Sequence, residues 1–173
     1  MTVATLTKRV SASEVPVFLA GSQKNSGKTT LLNVLLEELR SQGISASFLT
    51  TGRDGERKDA IFGNEKPAIR VAAGERFCTT ASGLGGIDAC FIRFAGVSTA
   101  GDMEPLALWR ARQEGDVELH GPRDAAGVWN IIHMLDAGDG PLLVDGALED
   151  LPGADVPYAR SLKGSAEPRI EML

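Results

Sequence analysis

The sequence predicts an α/β fold: a mainly parallel sheet between helices, three layers in all, with a β-hairpin inserted. Three features point there. An apolar run, VPVFLA (15–20), is followed by an amphipathic helical pattern and then by a second strand-like run, ISASFLT (44–50). A further helical pattern at 124–138 leads into a third apolar run, PLLVDGA (141–147). Between them lie short β-type runs broken by glycine-bearing turns.

Each element follows from local chemistry. Residues 1–14 are polar and rich in Thr and Ser, the pattern of a loosely held tail. VPVFLA is continuously apolar, as a strand buried on both faces must be. From Lys28 to Arg40 the period changes: Leu31, Leu35 and Leu39 stack at four-residue spacing with Leu32 and Leu36 beside them, while Glu37, Glu38 and Arg40 fall on the wet side. Gly43 marks the stop. Strand, glycine-bearing loop, helix and strand in that order make a right-handed crossover unit. AIRVAAGERFCTTA (68–81) reads as two short strands about the AAGE turn, the inserted hairpin. ACFIRFAGV (89–97) reads as a strand, and EPLALWRARQEGDVELHG (104–121) as two strands meeting at QEGD. In DAAGVWNIIHMLDAG (124–138) Val128, Ile131, Ile132 and Leu135 share one side of a helix. Residues 15–150 thus form one nucleotide-binding-sized domain, and 151–173, rich in Pro and Gly, read as an irregular tail with no convincing strand.

Composition narrows the function classes. The 173 residues are 43% hydrophobic and 24% charged with a net charge of -5, which suits one globular domain and argues against nucleic acid as the main partner. Cys78 and Cys90 match no metal or redox spacing and read as reduced, buried residues. MTVATLTKRV places its basic residues after the apolar ones, unlike a signal peptide, and no apolar run approaches the roughly 18 residues of a membrane helix. The expected compartment is the cytoplasm.

The chemistry concentrates in GSQKNSGKTT (21–30). Nucleotide phosphates need donors at close range, and a loop entering a helix offers backbone N–H groups at the positive helix end. Asn25, Ser26 and Gly27 allow close approach, Lys28 reaches the phosphates, Thr29 offers a hydroxyl to Mg²⁺, and Thr30 follows. Lys24 either adds positive charge there or is solvated. In G-x-x-x-x-G-K-[ST] the first glycine would fall at Ser22, whereas the chain has Gly21 one place earlier. The plainer alternative is a chance GKT at a capped helix start. On the far strand, Asp145 ends an apolar run, where it would hold Mg²⁺ beside Thr29; the alternative is a turn-forming Asp-Gly. In TGRDGE (51–56), Asp54 or Glu56 would orient water and Arg53 would meet phosphate charge, or the loop is simply solvated. His120 and His133 lack metal-ligand spacing, and Trp109 and Trp129 read as core or partner-facing. No base-reading N-K-x-D segment follows LLVDG, so ATP and GTP stand equal.

The loop resembles those of P-loop NTPases of the signal-recognition/MinD-like class. It is similar in particular to the small accessory proteins of molybdopterin-guanine dinucleotide biosynthesis, protein B, whose N-S-G-K-T-T type loop matches residues 25–30. TGRDGE (51–56), VELHGP (117–122) and LLVDGAL (142–148) also look like P-loop proteins associated with cobalamin-dependent lysine or ornithine aminomutases. The resemblance implies a P-loop NTPase sandwich, phosphate contacts at Asn25, Ser26, Gly27, Lys28, Thr29 and Thr30, and Mg²⁺ at Thr29 and Asp145. It also implies ATP or GTP hydrolysis; the expected catalytic residues are Lys28, from the loop, and Asp54, from the reading of TGRDGE given above. The expected partner is a protein, an aminomutase or another cofactor enzyme, served by an accessory or reactivation factor. A homodimer stays open, with no membrane or nucleic acid involved. Two other functions compete: a small-molecule kinase or ATP-dependent ligase, and a nucleotide-binding scaffold that does not hydrolyse.

Overall fold

The computed structural model describes residues 2–21, 27–51, 68–97, 104–122, 124–136, 140–147 and 171–172. Helix α1 (Val3–Ser11) comes first, then strand β1 (Val17–Gly21), helix α2 (Lys28–Ser41) and β2 (Ser47–Thr50). β3 (Ile69–Val71), β4 (Arg76–Thr79), β5 (Phe91–Gly96), β6 (Ala107–Ala111) and β7 (Gly115–Val117) make up the middle. Helix α3 (Ala125–Leu135), β8 (Leu142–Ala147) and a two-residue β9 (Glu171–Met172) follow. The main sheet runs β5-β6-β4-β2-β8-β1-β9, and β3 and β7 form a separate antiparallel pair.

The chain is therefore α/β with a mainly parallel mixed sheet. β4, β2, β8, β1 and β9 run parallel, β6 opposes β4, and β5 opposes β6. Strand alternation sends neighbouring side chains to opposite faces. Val17, Leu19, Phe48, Phe77 and Leu143 join Leu6 and Val10 of α1 and Leu32, Leu35, Leu36 and Leu39 of α2 in one core. Phe18, Leu49, Cys78, Leu142 and Val144 join Val128, Ile131, Ile132 and Leu135 of α3 in the other. Both faces of the central strands are covered, which is why those strands are apolar throughout rather than alternating. Cys78 and Cys90 are buried and not joined in a disulfide.

Four expectations are corrected. The N-terminal segment is not a loose tail. Thr2 caps α1 by accepting a hydrogen bond from the Thr5 N–H at 3.3 Å, and Leu6 and Val10 are buried against α2. The runs at 69–71 and 76–79 are strands but not a hairpin, because β3 pairs with β7 while β4 pairs with β2 and β6. What separates them is Glu75, drawn into the interior, where its carboxylate accepts from Ala72 N–H at 2.8 Å and from Arg40. Arg40 is accordingly not on the wet side of α2, since its guanidinium meets both Glu75 oxygens at 2.8 Å. Finally, the C-terminal segment supplies β9, which pairs in parallel with Val17 and Phe18 of β1.

Candidate functional site at the carboxyl edge of the sheet

In a parallel sheet all strand carboxyl ends open on one edge, where ligands of such folds bind. Here β8 lies between β1 and β2, with Leu19 and Thr50 both in register with Asp145. Alternation puts Asp145 on the same face as Leu143, the face that α2 covers. α2 starts at that edge, and the Thr29 hydroxyl reaches the Asp145 carboxylate, Oγ1 to Oδ2, at 3.4 Å. These two residues are 116 positions apart in sequence. The turn-forming alternative for Asp145-Gly146 does not hold, because both residues lie inside β8.

The start of α2 has an unusual cap. Gly27 adopts φ 81° and ψ 15°, a left-handed conformation that side chains disfavour, and no side chain caps the helix. The Leu31 N–H begins the helical ladder by donating to Gly27 O at 2.9 Å. The first turn holds Lys28, Thr29 and Thr30 with no acidic residue. Leading backbone N–H groups, the positive helix end and the Lys28 ammonium together favour an anion. Lys24, Asn25, Ser26, Arg53, Asp54 and Glu56, as well as the atypical Ser22, lie outside the described residues.

The Thr29–Asp145 pair fits Mg²⁺. Among the described residues no three His, Cys, Asp or Glu side chains gather as a protein-only metal site. A Mg²⁺ held with nucleotide phosphates needs no such cluster: one or two protein oxygens suffice, the rest coming from phosphate and water.

Two features went unread in the sequence. Thr51 follows β2 directly, and its N–H donates to Asp145 O at 2.8 Å. Its hydroxyl packs against Gly146, where an added Cβ would collide with it. The sequence signal was a glycine inside an apolar strand, which marks a close approach. The second feature is a polar network at the carboxyl end of β4, on the same sheet edge. Ser82 N–H and Oγ donate to the Glu104 carboxylate at 2.8 and 2.6 Å, and Thr80 Oγ1 lies 3.0 Å from Ser82 Oγ and 2.6 Å from His120 Nδ1. His120 Nε2 stands 3.4 Å from Glu118 Oε1. The Ser82 hydroxyl, followed by its backbone N–H, holds the Glu104 carboxyl below its ordinary value. His120 is thus a tie between segments, while His133 is exposed on α3. Trp109 donates to Thr79 O at 3.1 Å, and Trp129 meets Phe18 at 6.3 Å between ring centroids, so both indoles serve the core.

No protein-family model, curated protein or solved structure matches the chain. Among the described residues no helix is long and apolar enough to cross a membrane.

Proposed function

We propose that the chain is a P-loop nucleoside triphosphatase that binds ATP or GTP with Mg²⁺ at this edge and couples hydrolysis to a protein partner as an accessory factor. The observation that carries this reading is the meeting of Thr29, one residue into α2, with Asp145 on the strand beside β1. A chance GKT at a helix start has no reason to bring a carboxylate from 116 residues away to its hydroxyl. The uncapped, acid-free first turn of α2 supports the same reading.

In this reading Lys28 grips the terminal phosphates, and the backbone N–H groups from Gly27 onward hold their oxygens. Thr29 and Asp145 would hold Mg²⁺, which when bound neutralises charge on the phosphates. Asp54 is assigned to orient the attacking water, whose oxygen bonds to the terminal phosphorus as the bridging bond to the departing diphosphate breaks. Lys28→Ala is expected to take Mg·ATP or Mg·GTP turnover to background, with the fold retained by circular dichroism. Turnover equal to the parent protein would overturn the reading. Calorimetric titration of the parent with both nucleotides gives an independent check: no binding at millimolar concentration leaves a scaffold. Stimulation by a small acceptor rather than by a protein would convert the proposal into a kinase.

A further inference from the structure

β5 ends the main sheet, and among the described residues nothing pairs with its outer side. Its register shows which backbone groups are left over. In an antiparallel pair, bonded and unbonded positions alternate. Arg112 N–H donates to Cys90 O at 2.8 Å, so the Cys90 position is bonded toward β6, and by alternation so is Ile92. Ala111, opposite Phe91, bonds on its far side instead, donating to Glu75 O and accepting from Gly74 N–H, each at 2.9 Å. The N–H and C=O groups of Phe91 and Arg93 therefore point away from β6, along the free edge.

The same edge gathers exposed apolar and basic side chains. Of the large apolar residues exposed among those described, Ile92 and Phe94 lie on β5 and Ile87 in the turn before it, while Val3 and Val34 lie elsewhere, on α1 and α2. A bulge between Arg93 and Ala95 leaves Phe94 without an opposite residue on β6. β4, β5 and β6 carry Arg76, Arg93 and Arg110 and no Asp or Glu, in a chain whose net charge is -5. Arg93 and Arg110 are exposed, and Arg110 stands opposite Ile92. The Arg93 guanidinium lies over Gly96, where an added Cβ would stand 3.0 Å from its Nη2.

We propose that β5 is the docking edge for a strand of a protein partner that alternates carboxylate and apolar side chains. The free backbone groups of Phe91 and Arg93 extend the ladder to that strand. Alternation sets its carboxylates beside Arg93 on one face and its apolar residues beside Ile92 on the other. Arg93 also selects against a second copy of the chain, which would bring a like-charged edge to this one; charge is how free edges avoid their own kind. β5 is four strands from β8, roughly 19 Å, so docking leaves the edge at Asp145 open. This surface serves the protein partner of the reading above, yet it does not depend on nucleotide binding.

The probe is a synthetic peptide alternating Glu and Val, with one alternating Lys and Val as control, titrated without nucleotide into the full chain by fluorescence anisotropy. Amide hydrogen exchange is recorded in parallel. The Glu–Val peptide is expected to bind, more weakly as salt rises, and to slow exchange at Phe91 and Arg93, whereas the Lys–Val peptide does neither. Arg93→Glu is expected to weaken the Glu–Val peptide about tenfold and to favour the Lys–Val peptide, with Arg93→Gln in between. Both variants should unfold at the parent's temperature, since Arg93 is exposed. If the Glu–Val peptide does not bind, protects other amides, or binds the Arg93→Glu protein equally well, the docking edge is overturned. If the same two amides become protected as protein concentration rises without peptide, β5 is a contact between copies and the acidic partner falls. Failure to bind Mg·ATP or Mg·GTP in a separate titration sinks the triphosphatase reading and leaves this one standing.

Discussion

At the scale of single residues, Gly146 shows how a small side chain can serve its neighbours. Glycine weakens a strand interior, yet Gly146 lies in β8 between Asp145 and Ala147. A methyl group there would overlap the Thr51 side chain, including its hydroxyl. Gly146→Ala is therefore expected to destabilise the fold by about 1–3 kcal/mol, the usual range for overpacking, as measured by denaturant unfolding. If Thr51 simply swung aside, the loss would be smaller, and the midpoint of unfolding would report that. Much at this scale was legible in the sequence. Lys28, Thr29 and Asp145 were singled out from residue type and order, and Thr29 and Asp145 do meet. Thr51 was not, because its contact with Gly146 is made across two strands that lie far apart in sequence.

At the scale of elements, α2 links the candidate site to the opposite end of the sheet. Its leucines at 32, 35, 36 and 39 are buried, as their spacing predicts, and Leu31 packs partly buried beside them. Its C-terminal turn is fixed by Arg40, whose guanidinium is bonded to both oxygens of Glu75 and also donates to Arg70 O. Asn33 acts on the same neighbour: its side-chain amide donates to Ala68 O at 3.0 Å and its Oδ1 accepts from Arg70 N–H at 3.1 Å. This pairing holds the segment entering β3 against the helix much as a strand would. The misread hairpin has its cause here. The spacing of 68–81 shows two β-type runs and a turn, but the turn's glutamate is 1% exposed and needs a cation to be there. That cation comes from a residue 35 positions away, beyond any local pattern. Arg40→Ala leaves the Glu75 carboxylate buried and without its cation, so a loss of about 3 kcal/mol is expected, the low end for a broken buried pair. Chemical denaturation measures it. A loss of a few tenths would mean that the pair behaves as a surface salt bridge, consistent with the 22% exposure of Arg40 dominating over the burial of Glu75.

At the scale of the whole molecule, the fold has two cores, one on each face of the sheet, and only one of them includes the N-terminal helix. The central strands and the two long helices were legible because each carries a complete apolar pattern of its own. The N-terminal helix carries only a partial one. Its buried stripe consists of Leu6, Thr7 and Val10. Thr7 is fully buried and satisfies its hydroxyl internally, donating to Val3 O one turn back at 3.0 Å. A polar residue thus sits where an apolar one would have announced the helix, and the segment read as a tail. The two descriptions lead to different stabilities. For a loosely held tail, Leu6→Ala would leave unfolding unchanged. With Leu6 and Val10 packed on α2, the same change opens a cavity in the core beneath the helix that carries Lys28 and Thr29, and a loss of about 2 kcal/mol is expected, at the low end for burial close to the surface. Differential scanning calorimetry of the two proteins decides between them. A matching change in the proposed nucleotide affinity is not expected, because the candidate site lies at the first turn of α2, whose backbone the substitution leaves in place.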